Sequence, residues 1–461
     1  MTLTNSPQEV LIAIPAFIVA IGVLVAVHEF GHFWVARRLG IKVLRFSIGF
    51  GKPLWQKVSG KDQVEYVVAA IPLGGYVKLL DEREGPVPPE HLSQAYNRQP
   101  VWRRVLVLLA GPAANFLFAV CAYWVLFAVG VPALKPVIGE VTEDSIAARA
   151  GLAAGDEIVA VGGRETPTRE TAVLAILDQL MQERPIEIDL RRGSGAADEA
   201  ALRIPGSTRS LTEPGALLPG LGFDFWYPTV PAIVGTVVPD SPAARAGLRP
   251  GDRIVAIEGE AVDDFPGLVQ RVQPNPGRTL DFTIERPDGR LSLPIEVQSQ
   301  RDGERMIGRI GVQPVPGAAV PDHMRTIERY GPIEAFGRAA DKTWRMSELT
   351  MRMLWNVVTG DVSVKNLSGP INIAEYAGFS LRQGALAFLS FLAIVSVSLF
   401  VLNLLPIPIL DGGQIVFQLA ELAKGSPLSE RAQAVGQQIG LVLLLVLMSF
   451  AFYNDLSRLF S

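Results

Sequence analysis

The sequence VLIAIPAFIVAIGVLVAV, residues 10–27, contains no charged side chain and runs directly into HEFGH, residues 28–32. A helix needs about 20 mostly apolar residues to cross roughly 30 Å of hydrocarbon. Three further runs meet this length, at residues 105–134, 384–410 and 432–454. A cleaved signal peptide would begin with basic residues, whereas the first Lys or Arg is Arg37, after the run. The four runs therefore predict four transmembrane helices.

The composition of the 461 residues agrees with a membrane protein. Hydrophobic residues make up 49% and charged residues 19%, below the roughly 25% of an ordinary soluble domain. The net charge of -4 provides no electrostatic basis for binding nucleic acid. The single cysteine, Cys121, excludes a framework of disulfides within the chain.

Basic residues cluster between the first two runs, whereas the segment before the first run has none. The cluster consists of Arg37, Arg38, Lys42, Arg45, Lys52, Lys57, Lys61, Arg103 and Arg104. Because short loops rich in Lys and Arg stay in the cytoplasm, residues 37–104 are predicted to be cytoplasmic. Both termini and the long block of residues 135–383 are then predicted to lie outside.

The outer block contains one pattern twice, at a constant offset of 96 residues. ARAGL at residues 148–152 precedes GDEIVAV, and ARAGL at residues 244–248 precedes GDRIVAI. Both copies resemble PDZ domains of the bacterial type, which predicts tandem domains at 135–220 and 221–313. We expect Leu221-Gly222-Phe223 to open the second domain and Ile310-Gly311-Val312 to end it. PDZ domains bind extended peptides at a sheet edge, so the pair either binds peptides or acts as a spacer or steric screen.

Two histidines four residues apart, His28 and His32, share one face of a helix and can hold one cation between them. Zinc suits imidazole ligands, and Glu29 then lies beside the cation without being a ligand. The alternative is an interfacial histidine pair that anchors the helix end. That alternative leaves Glu29 unexplained, because an unpaired charge is unfavourable at this depth.

A third ligand is expected from another span at the same depth, and Asp411 meets this condition in NLLPIPILDGG, residues 403–413. The two prolines interrupt the helix, and irregular backbone at membrane depth is tolerated where it lines a cavity. The alternative is that Asp411 caps a helix in an ordinary loop. Asn403 either binds the backbone or developing oxyanion of a substrate, or makes an interhelical hydrogen bond.

The cytoplasmic segment is β-prone over residues 64–71 and again at Gly74, Gly75, Tyr76, Val77 and Lys78. A strand edge here can take up an extended substrate by strand addition. The alternative is an amphipathic hairpin at the membrane surface. Further along, apolar residues at helical spacing between Thr326 and Val358 predict a packing helix or a membrane-surface helix.

The motifs HEFGH (28–32), FSIGFG (46–51), GGYVK (74–78), AGPAAN (110–115), SGPI (368–371) and NLLPIPILDGG (403–413) together resemble the site-2 protease family of intramembrane metalloproteases. The resemblance implies zinc (Zn2+) bound by His28, His32 and Asp411, with Glu29 as base. It also implies a bacterial inner-membrane location with periplasmic PDZ domains. The implied substrates are single-span proteins already trimmed outside, including an anti-sigma factor and leftover signal peptides.

The predicted fold is thus a polytopic α-helical membrane protein with a small membrane-associated β region and two tandem PDZ domains between helices two and three. Its predicted parts are helix 1 (1–36), the β region (37–101), helix 2 (102–134), the PDZ domains (135–220 and 221–313), a linker with an amphipathic helix (314–383), helix 3 (384–413), a cytoplasmic loop (414–434) and helix 4 (435–461).

Two other functions remain open at the level of sequence. A membrane adaptor would carry PDZ domains and a metal site that only holds helices together. A metal transporter would need further ligands along a path, and the spans lack a ladder of His, Cys or carboxylates. Neither explains why a glutamate follows the first histidine.

Overall fold

The structure is a computed structural model that describes residues 7–60, 62–182, 185–193, 197–202, 209–213, 215–227, 230–302, 305–315, 320–360, 362, 368–426 and 428–460. Its amino-terminal membrane part contains α1 (Pro7–Arg38), β1 (Val43–Ser59), β2 (Val64–Leu79) and α2 (Val101–Val129), with 3-10 turns at Pro89–Gln94 and Tyr96–Arg98. As predicted, four helices of the described chain are long and apolar enough to cross a membrane. These stretches are Leu11–Arg38, Val101–Val129, Ala385–Leu404 and Arg431–Ser457.

The next part of the chain forms a first α/β unit preceded by a linker strand. It contains β3 (Val131–Leu134), β4 (Ile138–Val141), α3 (Ile146–Arg149), β5 (Glu157–Val161), β6 (Arg164–Glu165), α4 (Arg169–Leu180), β7 (Ile186–Arg191), β8 (Ala197–Leu202), a 3-10 turn (Arg209–Thr212), α5 (Leu217–Leu221) and β9 (Phe223–Phe225). One sheet has the order β6-β5-β7-β8, and β4 pairs with β9. The predicted helix 2 is therefore too long, because residues 131–134 form a strand after Gly130, whose φ of +98° ends α2.

The second unit repeats the topology of the first. It contains β10 (Val234–Val237), α6 (Pro242–Arg245), β11 (Arg253–Ile257), β12 (Glu260–Ala261), α7 (Phe265–Val272), β13 (Thr279–Arg286), β14 (Gly289–Glu296), β15 (Gln298–Asp302), β16 (Arg305–Arg309) and β17 (Val312–Pro314). The main sheet has the order β12-β11-β13-β14, and β10 pairs with β17. Each unit has its own buried core.

The boundary expected between residues 220 and 221 is wrong. Leu221, Phe223 and Phe225 are buried in the core of the first unit, and β9 pairs there with β4. Leu221-Gly222-Phe223 therefore closes the first unit, as Ile310-Gly311-Val312 closes the second. Both central glycines have positive φ, and a Cβ on either would collide with the serine that caps the short helix of its unit. Gly222 and Gly311 therefore occupy equivalent positions in the two units. The predicted boundary did not take this equivalence into account.

The last part returns the chain to the membrane. It contains a 3-10 turn (Asp322–Met324), β18 (Arg325–Glu328), α8 (Pro332–Thr359), α9 (Pro370–Gln383), α10 (Ala385–Leu404), α11 (Asp411–Lys424) and α12 (Glu430–Phe460). The linkers into and out of the two units run side by side, because β18 pairs antiparallel with β3. The helix expected from Thr326 begins only at Pro332. The loop expected at 414–434 is largely helical, because α11 and the start of α12 occupy it.

The first unit is attached to α8 by ion pairs. Asp178 of α4 bonds to Arg352 at 2.9 Å and to Arg164 at 2.6 Å. Glu170 pairs with Lys342 of α8 at 3.1 Å. The side chain of Asp178 is largely buried, so its two arginine partners compensate its charge. The unit is thus held beside the helix that leads back to the membrane.

Two of the membrane helices, α1 and α10, pack on α2, and small residues let the backbones approach. A Cβ added to Gly31 of α1 would lie 2.7 Å from the carbonyl carbon of Ala110 and 2.8 Å from the Ala114 Cβ. On another side of α2, the Ser396 hydroxyl of α10 donates to the Asn115 carbonyl oxygen at 2.9 Å. Helices α1, α2 and α10 thus form the framework of the membrane part.

After α1, the strands β1 and β2 fold into a bent sheet. Residues 43–48 of β1 pair with residues 75–79 on one side and with residues 65–68 on the other. Residues 55–59 pair with residues 64–68 from the far side. Among the described strands, none pairs with the outer edge of residues 75–79. The β region predicted for the cytoplasmic segment thus has an open edge. This edge lines the cavity of the site described below.

The end of α12 holds the start of α9 through one carboxylate. Asp455, only 3% exposed, accepts backbone N–H bonds from Gly369, Ile371 and Asn372 at 2.9, 3.0 and 3.2 Å. These donors belong to the first turn of α9, where no bond within the helix is available to them. Asp455 therefore caps α9 from another helix.

We expect Asp455→Ala to destabilise the protein by about 1–3 kcal/mol, because three donors lose their acceptor. The melting temperature of the detergent-solubilised chain measures this loss. Asp341→Ala removes an exposed carboxylate from α8 and serves as control, with an expected change within about 0.5 kcal/mol. Equal melting temperatures for the two variants would show that the cap contributes nothing.

Candidate active site

The predicted metal ligands come from two helices that meet beside α2. His28 and His32 lie one turn apart on α1, and Asp411 is the first residue of α11. The Asp411 Oδ2 atom lies 3.2 Å from His28 Nε2 and 3.5 Å from His32 Nε2. The two Nε2 atoms are 3.1 Å apart. The structure thus brings together three residues that lie near opposite ends of the chain.

The α2 helix orients both imidazole rings. His32 Nδ1 lies 2.7 Å from the Val107 carbonyl oxygen, an acceptor only, so Nδ1 carries the proton and Nε2 presents its lone pair. Asn115, fully buried, places its Nδ2 atom 3.3 Å from His28 Nδ1, and its Oδ1 has no partner among the described residues. Because carboxamide ends are assigned from their bonding, exchanging the two ends would put Oδ1 against a protonated His28 Nδ1 and leave His28 Nε2 free to bind a cation. The sequence did not indicate this contact of Asn115.

These residues fit a zinc ion. Tetrahedral zinc with bonds of about 2.0–2.2 Å sets its ligand atoms about 3.3–3.6 Å apart. The three distances between the ligand atoms, 3.1 to 3.5 Å, are close to that range. The Asp411 Oδ2 atom is buried without a hydrogen bond from the described residues, as expected for an atom that binds a cation. Hydrogen bonds from ligating imidazoles to carbonyl groups are typical of zinc sites.

A proline-containing turn places Asp411. The α10 helix ends at Leu404, short of the predicted span end, because Pro406 and Pro408 lack the N–H that would continue it. The Leu410 N–H donates to the Ile407 carbonyl at 2.8 Å, and α11 then starts with Asp411. A Cβ on Gly412 would collide with the backbone of Leu404, so the turn can be this tight only with glycine.

The other end of α11 is fixed to α2. Glu421 accepts a bond from Arg104 at 3.0 Å, and both side chains are largely buried. Arg104 lies at the amino-terminal end of α2, so α11 runs from the ligand cluster toward that end. The carboxylate also accepts the Leu428 N–H at 3.2 Å. The buried ion pair keeps the direction of α11, and hence the position of Asp411, constant.

Glu29 lies next to the ligands and is 9% exposed. It lines the same cavity as His28, His32 and Asp411. A Cβ on Gly75 of β2 would lie 3.0 Å from the Glu29 Cγ atom, so the strand edge passes directly beside this carboxylate. The site therefore combines three candidate ligand atoms, one further carboxylate and an open strand edge.

The cavity has a volume of about 760 Å³ and a polar lining. Of the predicted substrate-binding residues, Asn403, Gly75, Tyr76, Val77 and Lys78 line it, whereas Gly74 does not. Gly74 has a φ of +136° and lies against the Phe50 ring, so it bends the strand instead. The Asn403 amide donates to the Leu399 carbonyl of its own helix at 3.0 Å.

Several lining residues were not predicted, among them Arg45, Asp81, Arg83, Tyr96, Gln414 and Gln418. Burial raises the pKa of Tyr96 to about 12, so its phenol remains protonated. Gln414 and Gln418 follow Asp411 by three and seven residues, a spacing that places all three on one helix face. That periodicity was visible in the sequence and would have identified both glutamines.

Gly111 of α2 lies against both histidine rings. A Cβ at this position would lie 2.6 Å from His32 Cε1 and 2.8 Å from His28 Cε1. We expect Gly111→Ala to displace the rings and to lower zinc occupancy and proteolysis, the latter by about 10²-fold, as for other small misplacements of reacting groups. Zinc content after dialysis and the cleavage rate measure the two effects.

The control for this variant is Ala113→Val, which adds bulk on an exposed face two residues away. It should keep zinc and activity. Full zinc content and normal cleavage in Gly111→Ala would show that the rings tolerate the added methyl group.

The family model for Peptidase family M50 matches residues 16–447 of the chain. The chain belongs to peptidase family M50. The resemblance to the site-2 protease family and the prediction of a protease are thereby confirmed, and the adaptor and transporter alternatives are set aside. M50 members with full-length similarity come from several bacteria. The regulator of sigma-E protease RseP of Escherichia coli is 43% identical over 460 residues, which cover 96% of this chain and 98% of that protein.

Two further M50 relatives and one solved structure extend the comparison. Protease RseP of Yersinia pestis is 44% identical over 98% of this chain and 100% of its own length. A protein of Vibrio cholerae, named provisionally as a zinc metalloprotease, is 40% identical over 96% of this chain and 98% of its own length. The PDZ domain of an SdrC-like protein from Listeria monocytogenes matches 20% of this chain and 93% of its own, at 24% identity and a TM-score of 0.17.

Proposed function

We propose that this M50 protease hydrolyses peptide bonds within or beside the membrane-spanning segments of single-span proteins. The proposed site consists of zinc bound by His28, His32 and Asp411, with Glu29 as the base. The observation that carries the proposal is the convergence of three candidate ligand atoms within 3.5 Å of one another, two of them on a helix apolar enough to span a membrane. A bound zinc ion would activate water and polarise the scissile carbonyl.

The residues of the chain perform the remaining chemistry in this proposal. Glu29 takes a proton from the attacking water and passes it to the leaving amine. Asn403 presents its amide oxygen or nitrogen to the substrate backbone, or stabilises the developing oxyanion. The rings of His28 and His32 keep their orientation because Asn115 and the Val107 carbonyl hold their Nδ1 atoms.

A substrate span enters as a helix, and its carbonyls are bonded within that helix. The open edge of residues 75–79 offers backbone groups that replace those bonds when the substrate is extended. This edge passes beside Glu29, so a peptide paired with it lies within reach of the base. Strand addition at Gly75, Tyr76, Val77 and Lys78 thus unwinds the substrate and positions it; Gly74 contributes the bend.

The proposed setting is the bacterial inner membrane, with residues 37–104 and the active site toward the cytoplasm and both termini in the periplasm. The two α/β units are proposed to be periplasmic PDZ domains that either bind peptide ends or screen out bulky proteins. A trimmed anti-sigma factor is the first proposed substrate, and the full-length relatives that bear the name regulator of sigma-E protease support a substrate in sigma-E regulation. Remnant signal peptides are a second proposed substrate class.

Zinc analysis combined with a cleavage assay tests the proposed function. We expect about one zinc ion per purified chain, and cleavage of a reconstituted single-span substrate that a chelator abolishes and added zinc restores. Mass spectrometry of the products should locate the cut within or beside the apolar segment. A zinc-free chain that cleaves at the full rate, or a cut confined to a soluble tail, would contradict the proposal.

A further inference from the structure

We propose that Gln418 is a substrate-binding residue, whose side-chain oxygen accepts a hydrogen bond from a backbone N–H about three residues from the scissile bond. The inference rests on the proposed function and adds a contact to the same cavity. Helix α11 would then bind the substrate in addition to supplying Asp411.

Gln418 is nearly completely buried, at 6% exposure, and lines the active-site cavity. Its Oε1 atom accepts no hydrogen bond from any described residue. Buried acceptors without a partner are rare in folded proteins, and they indicate a missing water, ion or ligand. In a cavity that also contains the base and the ligand atoms, the missing partner we assign is the peptide that is cleaved.

The position of Gln418 on α11 determines where along the peptide it would act. Asp411, Gln414 and Gln418 occupy one face of the helix, at spacings of three and four residues. Gln414 already donates to the Pro408 carbonyl at 2.6 Å, so its amide is occupied within the turn. Gln418 lies about 10 Å along the helix axis from Asp411, at 1.5 Å per residue. An extended peptide covers that distance in about three residues.

The strand edge across the cavity from α11 explains why the expected partner of Gln418 is a backbone group. Residues 75–79 of β2 line the same cavity and offer an unpaired strand edge. An extended peptide points its N–H and C=O groups alternately to its two sides. The groups that face β2 would pair with the strand. Those that face α11 need a side chain, and Gln418 supplies an acceptor there.

The direction of α11 fixes which side of the scissile bond is involved. The helix runs from Asp411 toward Arg104 at the amino-terminal end of α2, where Glu421 binds Arg104. The residues that Gln418 contacts therefore lie on the Arg104 side of the cleaved bond, the side proposed to face the cytoplasm.

An ester scan of the substrate tests this contact. Single-span substrates are synthesised in which one backbone amide at a time, over six positions on each side of the cut, is replaced by an ester that lacks the N–H. The full chain, reconstituted in vesicles, is assayed as wild type, Gln418→Met and Gln418→Glu. Gln437→Met, at an exposed position of α12, is the matched control.

For the wild type, we expect one ester position about three residues from the cut, on the Arg104 side, to lower kcat/KM about tenfold, mainly through KM. Gln418→Met should lower kcat/KM about tenfold for the all-amide substrate and show no further loss at that ester. Gln418→Glu keeps an acceptor and should keep the ester sensitivity. Esters at positions where the replaced N–H would face β2 should affect all variants equally, and Gln437→Met should match the wild type.

An unchanged kcat/KM in Gln418→Met, or an ester profile identical to that of the wild type, would overturn the assignment. If Gln418 only packs inside the protein, Gln418→Met would lower the melting temperature and leave the ester profile unchanged, which also overturns the assignment. Both results leave zinc-dependent cleavage by the wild type intact, so they are distinguishable from failure of the proposed function. If the wild type cleaves none of the substrates, this result contradicts both the proposed function and the assignment of Gln418.

Discussion

Glu29→Gln is expected to reduce cleavage of a reconstituted single-span substrate by about 10²–10⁴-fold, the usual contribution of a general base. The amide is nearly the same size as the carboxylate, so the packing against Gly75 is retained. It cannot accept the proton of the attacking water. Because Glu29 is not one of the three proposed ligands, the variant should still contain zinc.

The measurement is the single-turnover cleavage rate, with zinc content determined on the same sample. Glu90→Gln changes an exposed glutamate in a 3-10 turn away from the site and should cleave normally. A Glu29→Gln variant that keeps the wild-type rate would refute the assignment of the base. Loss of zinc along with activity would show that Glu29 supports the cation instead of the proton transfer.

Asp411→Asn is expected to lose both zinc and activity. The variant removes the only anionic ligand of the proposed set, and a neutral amide oxygen is a much weaker ligand for zinc. Loss of an outer-shell partner alone typically weakens metal binding 10- to 100-fold, so loss of a ligand should exceed that range. Asn has the same shape as Asp, which leaves the proline turn and the start of α11 unchanged.

Zinc stoichiometry after dialysis against a competing chelator measures this effect. Asp62→Asn is the control, because Asp62 is an exposed carboxylate paired with Arg37 at 2.7 Å on the surface. It should retain zinc and cleavage. Full zinc stoichiometry together with a normal cleavage rate in Asp411→Asn would remove Asp411 from the site.

The membrane helices were the most predictable part of the fold, because the apolar runs are long and lipid leaves few alternatives. Their ends were less predictable. The second helix stops at Gly130 and the third at Leu404, where backbone geometry and proline interrupt apolar runs that continue. Hydropathy is insensitive to such interruptions, so both spans were predicted too long.

The three proposed ligands could be selected from sequence because few polar residues occur near the spans and two of them sit at helical spacing. Contacts between segments that are distant in sequence produce no such pattern in the sequence. Asn115 against His28 and Asp455 on the first turn of α9 depend on how helices pack, and no local pattern encodes that. Pairing of β9 with β4 is likewise a long-range contact across the whole first unit.

The order of synthesis has a consequence for the cell. A chain emerges from the ribosome amino-terminal end first, so His28 and His32 enter the membrane long before Asp411 is made. Until then the two imidazoles lack their anionic partner from the far end of the sequence. If Asp411 is a zinc ligand, as proposed, a truncated or stalled nascent chain lacks this third ligand and should not cleave peptide bonds.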